Sequence, residues 1–452
     1  MSHALKTDLY QLTMMQAYFS NGHNPYATFD YFVRKIPFGS YLVVVGLPHV
    51  LSYIDELQFE KEDLDYLRGQ QLFTKEFLEF LENFRFTGEI KGMPEGELAF
   101  PREPILRVHA PIIEAQLVET FILNRMNFST LIATKASRVT YAARGKPVVE
   151  FGLRRAQGAS HLEATRACFI GGCVATSNVY AGKELGIPIS GTMAHSFVTS
   201  FESEMEAFRA YASAFPANTV LLIDTYDTLN GARNALKLAK ELELQGVQLK
   251  AVRLDSGDLG TLAKEVRKIL DEGTCPYVKI FVSSDLNEWK IAELLARGAP
   301  IDAFGVGTEM ITARPDPALG GVYKLAEIDD GNGAFLPKMK LSEESEKATL
   351  PGRKTVWRFF NQYGLMEADV IALDGESLGT QPAKELLVPL VTAGKAVYRQ
   401  PPLREIRDLV RRNLSQLPED YLALDNAPVY PVVLSPTLES LKEELSRSLR
   451  KN

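Results

Sequence analysis

Between residues 147 and 308 seven short apolar segments recur (147–155, 173–178, 188–195, 219–227, 249–258, 278–285 and 303–308). Each ends in polar residues or glycine, and stretches with helical character lie between them, such as 228–245, 259–271 and 286–296. A short apolar strand flanked by helices reads as one buried on both faces, the mark of a parallel sheet. Parallel strands need crossover connections of one hand, so their carboxyl ends collect on one rim. A barrel and a doubly wound sheet both satisfy that requirement. Seven units without a dinucleotide fingerprint favour an irregular (β/α) barrel, and in either fold ligands bind at the carboxyl ends of the strands.

The flanks have a different texture. A helix is expected from Thr7 to Asn21, with Thr7 or Asp8 as its cap and Gly22 as its stop. Two strands are expected within 26–45, helical structure over 47–86, short strands in the Pro- and Gly-rich stretch from 89, and a helix over about 112–126. After Gly320–Leu325 the alternation lapses. Residues 338–343 and 354–358 read as strands of a second sheet, the charge run Glu343–Lys347 as a solvated loop, 402–414 as an amphipathic helix, and Ser435-Pro436 as the start of a last helix. The organisation expected is therefore an N-terminal α+β part (1–135), an irregular α/β barrel carrying the active site (136–336), and a C-terminal segment (337–452). That last segment completes an α+β sandwich with the first and adds helices.

Composition excludes several classes. With 46% apolar and 24% charged residues, the 452-residue chain has the make-up of a soluble globular protein with room for two or three domains. A formal charge of -7 without a basic stripe argues against nucleic-acid binding. Cys168, Cys173 and Cys275 form no CxxC pair, so neither a structural zinc site nor a disulfide framework is expected. No apolar run is long enough to span a bilayer, and the first residues carry no apolar signal core, so a cytoplasmic location is expected.

The rim of such a barrel would gather one histidine, His195, with basic Arg154, Arg155 and Arg253. It would also gather the carboxylates Asp224, Asp227, Asp255, Asp258 and Asp285, and the hydroxyls Thr176, Ser177, Thr192, Ser256, Ser283, Ser284 and Thr308. In Arg253-Leu254-Asp255 the two charged residues share a strand face. Arg253 can pair an anion bidentately, while a structural ion pair is the alternative. Gly305-Val306-Gly307-Thr308 at a strand end is a candidate phosphate cradle, because glycine lets backbone amides approach the oxygens. No P-loop signature occurs.

These residues carry a resemblance. Thr7–Thr13, Phe151–Gly158, Gly191–Phe197, Val252–Leu259 and Gly305–Thr308, with Lys340–Glu343 and Pro351–Lys354, resemble the motifs of the nicotinate phosphoribosyltransferases, a type II phosphoribosyltransferase family, over essentially the whole chain. The resemblance implies transfer of the phosphoribosyl group from phosphoribosyl pyrophosphate to nicotinate, giving nicotinate mononucleotide and pyrophosphate. This is the first step of NAD salvage from nicotinate, a ligase-type reaction coupled to ATP hydrolysis through a phosphohistidine. It places the phosphohistidine on His195 and names Arg253 and Asp255 as catalytic, with Asp255 on the ribose hydroxyls. Tyr10 of the partner subunit and Phe151 would stack on the pyridine ring. Thr192 and Arg253 would hold its carboxylate or a nearby phosphate, and Arg154, Ser284, Gly305, Gly307 and Thr308 the 5′-phosphate. A homodimer with its active site at the subunit interface is implied. Mg²⁺ would come with ATP and phosphoribosyl pyrophosphate, held mainly by their oxygens and by water rather than by protein ligands.

Rival readings stay in view. Nicotinamide and quinolinate phosphoribosyltransferases share the fold and donor, but quinolinate calls for more basic residues around the ring, and Met193 and Ala194 stand beside the histidine instead of a carboxylate. A phosphate-binding lyase or isomerase would use His195 as general base and needs a rim Lys or Glu. A non-catalytic metabolite sensor is the third.

Overall fold

The computed structural model describes residues 3–341, 348–379 and 381–450. The chain divides into two compact units: residues 1–131 with 318–452, and residues 132–317. The first cut falls within the helix Glu119–Ala142.

In the 132–317 unit, Val148–Glu150 pairs in parallel with Ala175–Thr176 on one side and Ala303–Val306 on the other. The ladder continues in parallel through Lys279–Val282 and Ala251–Leu254 to Val220–Leu222. Beyond Thr176 one parallel bridge reaches Ile189. Read in chain order, the seven segments thus run round a ring. The one neighbouring pair without backbone pairing, among the described residues, is Ile189 and Val220. The third segment contributes only that bridge, because Pro188 lacks an N–H and the chain turns away at Gly191.

Helices return the chain between strands, and the polar residues at several strand ends turn out to be their caps. Asp227, Asp258 and Asn287 accept the backbone N–H of Asn230, Thr261 and Lys290, at the starts of Thr228–Glu243, Leu259–Glu272 and Glu288–Ala296. Two buried cations of the helix Glu119–Ala142, Lys135 and Arg138, converge on buried Glu288, the Lys135 contact being very short, and Trp289 lies under both, 4.8 and 5.9 Å away. No helix among the described residues is long and apolar enough to cross a membrane.

The other unit weaves both ends of the chain together. Its seven-stranded antiparallel sheet runs Phe335–Pro337, Gly321–Asp329, Tyr26–Val33, Leu106–Pro111, Glu89–Gly92, Val388–Thr392, Lys395–Ala396. Gly321–Asp329 pairs with Tyr26–Val33, so the stretch after 317, expected at the end of the barrel segment, belongs to this sheet. A four-stranded sheet (Ala383–Glu385, Lys354–Phe360, Met366–Leu373, Val432–Leu434) and a two-stranded one (Leu42–Val43, Leu98–Ala99) complete the strands. Buried Arg358 ties them: it grips Asp369 from Nε and NH2 at 2.9 and 2.5 Å, and NH2 also donates to the Leu98 carbonyl at 2.9 Å.

Several local expectations shift. Residues 47–86 form three helices, Leu47–Glu56, Lys61–Gly69 and Lys75–Glu82, because Asp63 accepts the Glu60 N–H and Thr74 the Phe77 N–H, starting new helices. The helix expected over 112–126 breaks at Val118 and runs on to Ala142. The strand expected from 338 lies earlier, at Phe335–Pro337; residues 338–341 are not in a strand, and 342–343, with the charge run 343–347, lie outside the described residues.

On the seven-stranded sheet a partly buried histidine is held neutral. The Thr28 hydroxyl gives its only hydrogen to Glu327 Oε1 (2.8 Å), so His109 Nδ1 donates to Thr28 Oγ1 (2.9 Å) and Nε2 accepts from Arg353 NH2 (3.2 Å). Burial, then the Arg353 charge, pushes the imidazole pKa down to about 4. The unfolded chain binds this proton below about pH 6.5 while the fold refuses it until about 4. The stability contribution is therefore complete above pH 6.5 and lost as pH falls through that window, by roughly 2 kcal/mol after solvent screening. His109→Gln, which cannot take the proton, is expected to flatten the fall in urea-unfolding free energy between those pH values; an unchanged slope would refute the assignment.

Candidate active site

Parallel pairing puts all strand ends of the 132–317 unit on one rim, and the ends carry side chains that bind one another. Arg253 is the hub. Its Nε donates to Ser283 Oγ at 2.9 Å, and its NH1 to Thr192 Oγ1 at 2.6 Å and to the Met193 carbonyl at 3.2 Å. NH2 stands 3.4 Å from Asp255 Oδ1. Ser283 passes its own proton to Asp255 Oδ1 at 2.5 Å. The other Asp255 oxygen, Oδ2, lies 3.8 Å from His195 Nε2, and His195 Nδ1 is 3.2 Å from Thr225 Oγ1. His195 opens the short helix His195–Thr199 after Ala194. Its side chain is 44% exposed, so the ring is open to a ligand, whereas the Arg253 side chain is 14% exposed.

An aromatic wall adjoins this chain of polar contacts. The Arg253 guanidinium lies 6.0 Å from the Phe151 ring centre, and Phe281 meets Phe151 at 5.6 Å. A Cβ on Gly305 would come within 2.6 Å of the Phe151 ring and 3.0 Å of Phe281, so the glycine leaves the space the rings occupy. A Cβ on Gly307 would stand 3.1 Å from the Phe151 carbonyl oxygen. Thr308 follows as the first residue of the four-residue helix Thr308–Ile311. Buried Glu150 anchors the loop that bears Phe151: Oε2 accepts from Thr176 (2.6 Å) and Thr165 (3.2 Å), and Oε1 accepts the Gly152 N–H in a very short contact. Burial raises its pKa while these donors pull it back.

The carboxylates sort by task. Asp224 Oδ2 accepts from the Asp255 N–H (2.9 Å) and Ser256 Oγ (2.6 Å), while its Oδ1 is buried and meets no donor. Glu204 also has a buried oxygen without a donor; its pKa is raised by burial and, next, by the charges of Asp227 and Asp224. Asp227 and Asp258 are helix caps. No group of three or more His, Cys, Asp or Glu residues among the described ones could hold a metal ion.

The structure thus brings His195, Thr192, Arg253 and Asp255 into one network, with Phe151 and Gly305 beside Arg253. Arg154 lies exposed in the turn Leu153–Arg155, and Ser284 is exposed at a φ of +135°, with no side-chain bond from either to the network among the described residues. Tyr10 lies in the other unit, 47% exposed on the helix Leu9–Ser20. The sequence does not single out Thr225, Phe281 or Glu150 as site residues, and it puts Asp224 and Ser283 on the rim without assigning them a task. Period-two reasoning could have found part of this set, because Arg253/Asp255, Phe281/Ser283 and Gly305/Gly307 are all i, i+2 pairs.

Comparison with known proteins follows the same residues. The chain matches the models for the nicotinate phosphoribosyltransferase N-terminal domain (5–127), the nicotinate phosphoribosyltransferase family (147–356) and the C-terminal domain (378–442). It is 45% identical over 436 residues to nicotinate phosphoribosyltransferase pncB2 of Mycobacterium tuberculosis, covering 96% of this chain and 91% of that one. It is 42% identical over 459 residues to the nicotinate phosphoribosyltransferase of Bacillus subtilis (96% and 93%). Among solved structures, human nicotinic acid phosphoribosyltransferase superposes with a TM-score of 0.85 at 30% identity (97% and 99% covered). A nicotinate-nucleotide pyrophosphorylase from Pyrococcus furiosus does so with 0.74 at 25% (91% and 95%).

The Gly305 packing is testable alone. Gly305→Ala should force Phe151 or Phe281 off its rotamer at a cost of about 1–3 kcal/mol, read as a lowered thermal midpoint. An unchanged midpoint would mean that the rings move aside freely.

Proposed function

Because this chain belongs to the nicotinate phosphoribosyltransferase family, a family of enzymes, we propose that it moves the phosphoribosyl group from phosphoribosyl pyrophosphate to nicotinate, with ATP hydrolysis coupled through phosphorylated His195. The observation that carries the reading is the continuous contact chain Thr192–Arg253–Ser283–Asp255–His195 beside the Phe151 ring. An aromatic face next to a guanidinium suits a flat anionic ring. Arg253 would meet the nicotinate carboxylate, with Thr192 supporting it through NH1, and Phe151 would take one face of the ring. Tyr10 of the partner subunit would take the other; Leu9 and Tyr10 are both exposed on their helix, which suits a homodimer. Asp255 Oδ2 would accept from the ribose hydroxyls. Arg154, Ser284, the backbone of Gly305 and Gly307, and Thr308 would surround the 5′-phosphate. A cytoplasmic site of action and a place at the entry to NAD salvage from nicotinate complete the reading.

The pyridine nitrogen attacks the anomeric carbon with its own lone pair, and the bond to pyrophosphate breaks with its electrons leaving on oxygen. No general base is needed. The work left to the protein is alignment and stabilisation of an oxocarbenium-like sugar and a departing anion. In the coupled half-reaction an imidazole nitrogen of His195 attacks the terminal phosphorus of ATP, ADP leaves, and water later returns the histidine. Mg²⁺ suits the oxygen donors present: Asp224 has a buried oxygen without a donor, and the remaining ligands would be phosphate oxygens and water. When bound it would offset the charge of the leaving pyrophosphate. Asp224 meanwhile holds the Asp255–Ser256 turn through its other oxygen.

His195→Ala is the decisive variant. It should gain no phosphoryl mass when incubated with ATP and Mg²⁺, lose ATP stimulation of nicotinate mononucleotide formation, and keep its thermal midpoint. A mutant phosphorylated like the parent in intact-mass spectra would sink the assignment. Assaying nicotinamide and quinolinate with the same donor separates this reading from its nearest rivals.

A further inference from the structure

Arg253 is short of free hydrogens. A carboxylate grips a guanidinium along its Nε–NH2 edge or its NH1–NH2 edge. Here Nε is tied to Ser283 at 2.9 Å, and NH1 to Thr192 at 2.6 Å and to the Met193 carbonyl at 3.2 Å. Either fork therefore has one tine already engaged, and NH2 is the donor left over, 3.4 Å from Asp255 Oδ1. Asp255 is restrained in a complementary way. Its Oδ1 takes the Ser283 proton at 2.5 Å, which turns Oδ2 toward His195 at 3.8 Å.

One hydroxyl stands between the cation and the anion. Ser283 is 3% exposed just past the strand Lys279–Val282; its backbone N–H bonds the Leu254 carbonyl at 2.9 Å, and its Oγ is held by Arg253 on one side and Asp255 on the other. It accepts from Arg253 and donates to Asp255 at once. Arg253 NH2 and Asp255 Oδ1 are already an ion pair, but at 3.4 Å a loose one; without the hydroxyl between them they can shorten into a direct hydrogen-bonded pair. Such a pair would consume the last free edge of Arg253 and swing Oδ2 away from His195.

We infer that Ser283 is a positioning residue: its hydroxyl holds Arg253 and Asp255 apart, keeping one guanidinium edge for the anionic substrate and one carboxylate oxygen for the sugar and His195. The inference rests on the phosphoribosyl-transfer reading above. It also separates Ser283 from its neighbour Ser284, which is exposed and outside the network.

Four proteins test it: the parent, Ser283→Ala, Ser283→Thr, which retains the hydroxyl, and Arg253→Lys for assignment. The Arg253 Nε–H resonance, identified by its loss in Arg253→Lys, reports the bridge without any substrate. It should be slow to exchange in the parent and the Thr variant and fast in the Ala variant. In steady-state assays Ser283→Ala should raise KM for nicotinate about tenfold and lower kcat about tenfold, the loss expected for charge-assisted hydrogen bonds. Ser283→Thr should recover most of both, and the thermal midpoints should stay close. A released Nε–H with parental kcat and KM, or a defect that Thr does not rescue, overturns the inference. A parent that makes no nicotinate mononucleotide overturns the functional reading itself, and the inference with it.

Discussion

Parallel pairing has a direction, and the 132–317 unit depends on that. Because every strand of its sheet runs the same way, residues far apart in the chain end side by side: Thr192 reaches Arg253, and Phe304 pairs with Val148. The ladder is short, with only two to four residues per strand. Short strands suffice because caps such as Asp227, Asp258 and Asn287 turn the chain into a helix at once. Polar side chains between the strand ends and those caps, Asp224, Thr225, Asp255 and Ser283 among them, are left on the rim, where they bond to neighbouring rim groups.

That rim shows how structural and chemical duties divide. Glu150 and Asp224 hold backbone N–H groups and shape the loops bearing Phe151 and Asp255. Arg253 spends most of its hydrogens on its own chain. Such a tethered guanidinium loses little freedom when an anion arrives, which favours orientation over raw affinity. His195 is the opposite case: half exposed, lightly held, and able to meet a second ligand.

Much of this was legible in the residues. The strand–helix alternation located the barrel, and the sequence motifs located Thr192, His195, Arg253 and Asp255. What was not legible has physical causes. Ser283 and Ser284 are chemically identical, and only the backbone turn after Val282, with Ser283 still bonded to Leu254 and Ser284 at a φ of +135°, decides which is buried. Thr225 matters because it reaches His195 across the one unpaired gap of the ring, and no spacing announces that. Residues 47–86 break where acidic and hydroxyl side chains cap new helices, the first time with no glycine or proline to mark the place and the second just after Gly69. The helix ending at Ala142 was read too short because Thr134, Lys135, Ser137 and Arg138 are polar yet fully buried, which erases the amphipathic period. Strand Gly321–Asp329 reads like one more barrel strand until it is seen paired with a partner almost 300 residues earlier.

The gap between Ile189 and Val220 sets the mechanical character of the ring. On one side the 188–190 segment is stitched to Thr176 by backbone bonds; on the other it has none, and the residues after it are moored by Thr192 and Met193 to Arg253 and by His195 to Thr225. A hoop split at one point is stiff everywhere except across the split. Here, among the described residues, the split is spanned only by bonds that involve side chains. Displacing the arm that bears the imidazole therefore breaks side-chain bonds and none of the ladder's.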